Sequence, residues 1–141
     1  MKTLFEHYSA GETLYGKLLT PVCTQYGLTR MELNVMLFLH HNPDCDTASQ
    51  IVKHRRLTKS HVSMSVRSLE EKGLLTCAYR GQNRRTIHLT LTDAAKDMVE
   101  AGCVAQKEFT EVVFSGFSQE EREMLWDMIV RIDQNIEQAM K

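Results

Sequence analysis

The order of structural signals across residues 47–91 constrains the fold more than any other feature of this chain. Residues 47–50, Thr-Ala-Ser-Gln, have the form of a helix capping box and predict a short helix over about 48–54. Thr58 is placed to cap a second helix, and Gly73 suits the left-handed residue that follows a helix C-terminus. Two short helices joined by a tight turn are therefore expected.

A β-hairpin is expected directly after this helix pair. Residues 74–79 are typical of a strand and residues 80–84 of a polar turn. Residues 86–91 alternate strictly between polar and apolar side chains, which indicates a half-buried strand. Because Arg84 and Arg85 lie between these strands, the hairpin is expected to have a basic tip.

Longer helical patterns precede this region. Apolar residues between Leu4 and Val22 recur at helical spacing, and this helix is expected to bend or stop near Pro21, which lacks a backbone N–H. A second capping box, Thr-Arg-Met-Glu at residues 29–32, predicts a helix that ends at residues 40–43.

Two further helices are expected after the hairpin. Thr92 and Asp93 are in position to cap a long helix that reaches about Phe114, and Ser-Gln-Glu-Glu at residues 118–121 is a third capping box. The predicted order is α-α-α-α-β-β-α-α. This is a mainly α fold with a small β-hairpin wing, in which a winged helix-turn-helix lies between long terminal helices.

Positive charge is concentrated in residues 53–85. This stretch contains nine Lys and Arg residues against two Glu, a net charge of +7 in a chain whose net charge is −1. A cationic surface on an otherwise anionic body is typical of proteins that bind polyanions. The nine basic residues are Lys53, Arg55, Arg56, Lys59, Arg67, Lys72, Arg80, Arg84 and Arg85.

The second helix of the pair has the two faces that a DNA-reading helix requires. Val62, Val66 and Leu69 form an apolar stripe that can dock on the domain. The other face is basic or small, and an Arg guanidinium there can contact guanine through two hydrogen bonds. An Arg at the wing tip suits a narrow minor groove. The residues expected to contact DNA are Thr58, Lys59, Ser60, His61, Ser63, Met64, Arg67, Arg84 and Arg85.

These features resemble those of the MarR family of bacterial transcription regulators. The similarity rests on Leu-Thr at residues 28–29, on a recognition helix ending in Glu-Glu-Lys-Gly-Leu at residues 59–74, and on Asn-Arg-Arg followed by a strand ending in Leu-Thr at residues 83–92. The terminal helices have the length and order of the family, so the resemblance extends over nearly the whole chain.

The resemblance implies a homodimer that binds double-stranded DNA at a pseudo-palindromic operator, represses, and is released by a small-molecule effector. It also implies a winged DNA-binding lobe at residues 29–92 and a helical dimerisation region formed by residues 1–28 and 93–141. The family's effector pocket lies between these regions, where Tyr15, Met31 and Met36 are candidate lining residues.

Two residues depart from the family pattern. Asn83 stands where the family usually has an Asp that orients the wing arginine, here Arg85. An amide still accepts a hydrogen bond but carries no charge. Met64 stands where many relatives carry Arg, which favours contact with a thymine methyl over a phosphate or base-edge contact.

Alternative chemistries are expected to be absent or secondary. His40 and His41, with Cys23, Cys45 or His7, suggest a metal-sensing regulator of the same fold, but adjacent histidines on a helix point about a third of a turn apart and no zinc-ligand spacing occurs. Four dispersed cysteines suggest a thiol sensor, but ordinary packing is favoured. We therefore expect no metal and no cofactor.

Other protein classes fit the sequence less well. The chain contains no P-loop, GxSxG or HExxH motif, so no catalytic residues and no enzymatic activity are expected. A winged-helix module that binds proteins instead of DNA would have no reason to keep basic residues on one face. With no signal peptide and no apolar run long enough to cross a membrane, we expect a cytoplasmic protein without membrane contact.

Overall fold

The computed structural model describes residues 3–55 and 57–141, apart from the side chains of Leu4 and Phe5. Arg56 of the basic segment therefore lies outside the described residues. The side chains of Leu4 and Phe5, which belong to the apolar pattern predicted for the first helix, also lie outside them. The elements are α1 Leu4–Tyr26, α2 Arg30–His41, α3 Ala48–Arg55, α4 Lys59–Glu71, β1 Leu75–Arg80, β2 Asn83–Leu91, α5 Lys96–Val113 and α6 Gln119–Ala139. The predicted order is confirmed.

The chain folds as two compact units. One ends at Glu108 and contains α1 to α4, the hairpin and most of α5, whereas the other is Phe109–Lys141. The predicted division into a winged lobe and a dimerisation region that joins both termini stays a prediction. None of the helices in the described ranges is long and apolar enough to span a bilayer.

Three of the predicted helix starts have the expected reciprocal hydrogen bonds. Thr29 accepts from the backbone N–H of Glu32 while the Glu32 carboxylate accepts from Thr29, and Ser118 is paired with Glu121 in the same way. At the start of α3, Thr47 is paired with Gln50. Each side-chain oxygen accepts from a backbone N–H that has no partner inside the helix. The capping boxes therefore stabilise these helix starts through contacts between residues only three positions apart.

The structure departs from two expectations about helix ends. Of the expected bend or stop near Pro21, the stop does not occur, because α1 continues to Tyr26 and is followed by Gly27, whose φ is 64°. Apolar packing of Leu19 and Val22, both buried, holds the helix together across the hydrogen bond that proline cannot make. Thr92 makes no capping hydrogen bond, because its hydroxyl donates to the carbonyl of Gly73 at 2.7 Å.

The core of the first unit is centred on α2, where seven of the twelve residues are buried. Each neighbouring element adds apolar side chains to it. The largest side chains with less than 2% exposure are Leu19, Leu33, Val35, Met36, Ile51, Val62, Leu69 and Leu75. Helix α5 approaches α2 closely at Gly102, where a Cβ would lie 2.9 Å from Leu37 Cδ2. This core supports α4 and the hairpin from one side.

The two strands pair antiparallel, with Leu75 opposite Leu91 and Tyr79 opposite Ile87. Strand β1 is as long as predicted but shifted by one residue, whereas β2 is longer and the turn shorter than predicted, because β2 begins at Asn83 and Gly81 adopts a φ of 56°. Leu89 is buried, but Ile87 is 44% exposed because it lies on the distal half of the hairpin, beyond the core. The strand is thus half-buried only near its C-terminal end.

Candidate nucleic-acid interface

Helix α4 is held by a buried face that packs on α2 and α3. Val62 and Leu69 are fully buried, Val66 is half-buried, and Ser65 is 7% exposed. The apolar stripe was predicted; Ser65 was not assigned to it, although its spacing of three from Val62 places it on the same side. Thr58 begins the helix as predicted, since its hydroxyl accepts from His61 N at 3.4 Å.

The opposite face of α4 is open. All seven residues from this helix and its cap that the sequence assigned to DNA are exposed, and the apolar side chain of Met64 is 70% exposed. They are Thr58, Lys59, Ser60, His61, Ser63, Met64 and Arg67. Residues 59–69 contain no acidic side chain, so this part of the open face is neutral or cationic, and exposed Glu70 and Glu71 follow at the C-terminal end of the helix.

The C-terminal end of α4 is fixed by a partly buried ion pair. Lys72 Nζ lies 2.7 Å from a carboxylate oxygen of Glu32, a residue with only 3% exposure. The same ammonium donates to the carbonyl of Gly27 at 3.1 Å. Lys72 therefore connects the recognition helix to the junction of α1 and α2, and its charge is matched by an acid outside the basic segment. Gly73 follows with a φ of 73°, as the sequence predicted.

The wing arginines lie at the start of β2, not in the turn. Asn83 Oδ1 accepts from the backbone N–H of Arg85 at 2.9 Å and of Thr86 at 3.3 Å. Asn83 thus shapes the backbone that carries Arg85. The guanidinium of Arg84 lies over the Tyr79 ring, 5.6 Å from its centroid. Both arginines are exposed.

One carboxylate anchors the wing to the loop between α2 and α3. Asp46 accepts from Arg80 Nη2 at 2.7 Å and from His88 Nδ1 at 2.9 Å. The hydrogen bond from His88 holds the pKa of Asp46 below its usual range, and the charge of Arg80 acts in the same direction. The sequence analysis missed this site, because Arg80 and His88 lie 34 and 42 residues after Asp46 in the chain and no local pattern links them to it.

Two of the four cysteines lie close to a histidine. Cys45 Sγ is 3.8 Å from His54 Nε2, and Cys103 Sγ is 4.0 Å from His41 Nε2. Among the described residues no group of three or more potential metal ligands occurs, and zinc sites use three or four protein ligands. Burial raises the pKa of Cys77 to about 11, assisted by Glu70, so its reactive thiolate is scarce at neutral pH.

A surface cleft of about 340 Å³ lies among α1, α2 and the end of α3. Arg30 stacks over Tyr15, with its guanidinium 4.8 Å from the ring centroid, and donates to Asn34 at 3.3 Å. Of the three candidate lining residues, Tyr15 lines this cleft. Met36 is fully buried in the core and does not face it. The lining residues are Tyr8, Glu12, Tyr15, Arg30, Asn34, His54, Arg55 and Leu57.

Comparisons with known proteins agree with the fold. Residues 26–82 match the MarR family model. The chain is 25% identical over 114 residues to YdgJ, an uncharacterized HTH-type transcriptional regulator of Bacillus subtilis (strain 168), covering 81% of this chain and 68% of the relative.

Two solved structures share the architecture at low sequence identity. A putative MarR family regulator from Listeria monocytogenes, complexed with 26mer DNA, superimposes with a TM-score of 0.85 at 16% identity over 96% of this chain and 90% of that chain. MepR of S. aureus in its DNA-binding conformation has a TM-score of 0.85 at 20% identity, with 96% and 99% covered.

Proposed function

We propose that the chain, whose residues 26–82 match the MarR family model, is a DNA-binding transcriptional regulator of that family that acts as a homodimeric repressor released by a small organic acid. The main support for the proposal is that helix α4 has one buried face and one exposed face. One face is fully buried at Val62 and Leu69, and the other presents exposed Lys59 and Arg67. A helix fixed in this way has the side chains that major-groove recognition uses.

We assign base reading to α4 and backbone contact to both α4 and the wing. Arg67 is exposed and can donate two parallel hydrogen bonds to a guanine edge, whereas the exposed thioether of Met64 suits a thymine methyl. Lys59 lies in the first turn of α4, where it can neutralise a phosphate. Arg84 and Arg85 extend the contact to the adjacent minor groove. The structural relatives that carry DNA support this arrangement.

The second unit supports dimer formation with another copy of this chain. Helix α6 has no buried residue, although apolar side chains recur along it at helical spacing. Those at least 37% exposed include Met124, Met128, Ile129, Ile132 and Ile136. An exposed stripe of this length is costly in water and typical of an interface. A two-fold dimer carries two copies of α4, which explains why the expected operator is pseudo-palindromic.

The cleft at Tyr15 has the chemistry for an aromatic acid. Tyr15 and Tyr8 offer ring faces, while Arg30 and Arg55 offer donors to a carboxylate. We propose that such a ligand favours a dimer in which the two α4 helices no longer match the half-site spacing. Metal and thiol sensing are less well supported, since the described Cys and His residues form only pairs.

Selection of bound duplexes from a random DNA pool tests DNA recognition directly. Enrichment of an inverted repeat is the expected result, and enrichment of no sequence would favour the protein-interaction alternative. Sedimentation then tests the assembly: a folded monomer at micromolar concentration contradicts the dimer.

The effector is tested by gel shift on the selected duplex, with titration by salicylate and benzoate, by zinc, and by peroxide. Release by the aromatic acids that is lost in Arg30→Ala supports the cleft. Release by zinc or peroxide that is abolished by Cys→Ser changes would assign a metal- or thiol-sensing function instead.

A further inference from the structure

Asp46 is joined to both strands of the wing. One carboxylate oxygen accepts from Arg80 at the end of β1, and the other accepts from His88 in the middle of β2. The backbone carbonyl of Asp46 also accepts from the N–H of Leu89 at 2.7 Å. The side chains of Asp46 and His88 are only 16% and 21% exposed, so their charge-assisted contact is partly shielded from water, whereas Arg80 reaches the carboxylate from the surface with 65% exposure.

The distal half of the wing has little other support. Leu75 and Leu89 anchor the base of the hairpin in the core, but Tyr79 and Ile87 further out are 46% and 44% exposed. An isolated two-stranded hairpin is marginally stable in water. Apolar packing therefore fixes where the wing begins, while the Asp46 contacts hold its distal half, from His88 in β2 to Arg80 beside the turn.

We propose that Asp46 is the positioning residue of the wing: by holding Arg80 and His88 at once, it sets the direction in which Arg84 and Arg85 meet DNA. This inference rests on the proposed contact between the wing and DNA. Arg80 is included in the basic segment, but its guanidinium is directed to Asp46. Its role is therefore to orient the hairpin, and the exposed pair Arg84 and Arg85 makes the contact.

The sign of the effect separates positioning from simple electrostatics. A carboxylate beside a cationic surface repels phosphate, so removal of its charge alone would tighten DNA binding. Positioning requires the opposite, because a wing without its anchor must lose conformational entropy when it binds. Asp44, exposed in the same loop, makes no hydrogen bond or ion pair with any described residue and provides the matched charge control.

The experiment is a binding titration by fluorescence anisotropy on the duplex that the wild-type protein selects from a random pool. Asp46→Ala is expected to weaken binding about tenfold, which corresponds to about 1.4 kcal/mol, and to flatten the salt slope by about one. Asp46→Asn, which keeps one acceptor oxygen, should weaken it less. Asp44→Asn should bind as tightly as the wild type or slightly more tightly.

A double-mutant cycle identifies the route of the effect. In the Arg84→Ala/Arg85→Ala background, Asp46→Ala is expected to change affinity by less than about twofold, since the arginines that it positions are gone. If the arginine variant binds normally, the wing does not contact DNA and the proposed wing contact fails. If the arginine variant is weak but Asp46→Ala is additive with it, or tightens binding, the positioning role is refuted.

Hydrogen exchange of the free protein separates a local from a global effect. Faster exchange of hairpin peptides in Asp46→Ala, with α2 and α5 unchanged, is expected. Faster exchange throughout the first unit would show a general loss of stability and would overturn the proposal.

Discussion

The register of α4 on the core can be tested by two substitutions five residues apart. Val62 has 0% exposure, and Val62→Ala removes two methyl groups from the core. At about 0.8 kcal/mol per buried methyl-sized group, the transfer cost is about 1.6 kcal/mol, to which incomplete collapse of the cavity adds. We therefore expect Val62→Ala to lower the free energy of unfolding by about 1.5–3 kcal/mol.

Arg67→Ala should have the complementary effect. The side chain is exposed and no core contact is lost, so stability should change by less than about 0.5 kcal/mol. If the guanidinium reads a guanine through two hydrogen bonds, discrimination at that base pair falls by about 1–3 kcal/mol, or roughly 5- to 150-fold in affinity ratio. Preferences at other positions should remain.

The assay combines urea denaturation with competition binding on duplexes that each carry one base substitution. Lys59→Ala is the matched control: a phosphate contact should weaken all duplexes equally and reduce the salt slope by about one. A result in which Val62→Ala alters base preference, while Arg67→Ala alters only stability, would show that the two faces of α4 have been assigned the wrong way round.

Three further predictions concern the framework. Gly102→Ala should destabilise the protein by about 1–3 kcal/mol through the clash with Leu37, whereas Gly11→Ala, with open space around its Cβ, should stabilise it by up to about 1 kcal/mol in thermal unfolding. The stabilisation lost in Asp46→Asn should be constant above about pH 4 and vanish as pH falls, because a lowered pKa favours folding only while the carboxylate is ionised. Lys72→Met should cost about 1–3 kcal/mol by leaving buried Glu32 unpaired, yet leave the salt slope of DNA binding unchanged.

Local chemistry made the helical part of this fold predictable. A capping box involves atoms only three residues apart, so Thr29 and Ser118 could be assigned without knowledge of the tertiary structure. The apolar stripe of α4 likewise follows from helical spacing. The exposed DNA-facing residues are those that this stripe leaves on the other side, although their contact with DNA stays a prediction.

Tertiary contacts decided the features that the sequence analysis missed. Thr92 has a capping residue type, but Gly73, 19 residues earlier, provides a carbonyl that takes its hydroxyl. Pro21 would end an isolated helix, yet α1 continues because Leu19 and Val22 are buried on either side of it. In both cases the tertiary environment outweighs a local preference, and no local sequence pattern reports that environment.

The basic segment shows the same limit for charge. A net charge of +7 counts every Lys and Arg as available to a polyanion, but Lys72 and Arg80 are paired with Glu32 and Asp46, two acids outside the segment. These two cations fix the end of α4 and orient the wing, and the charge of each is partly balanced by its acidic partner. Charge density therefore predicts which side of this protein faces DNA, whereas the ion pairs are expected to determine how rigidly that side is held. Because Asp46 and Glu32 carry no DNA-binding signature themselves, their substitution tests whether recognition depends on that rigidity or on positive charge alone.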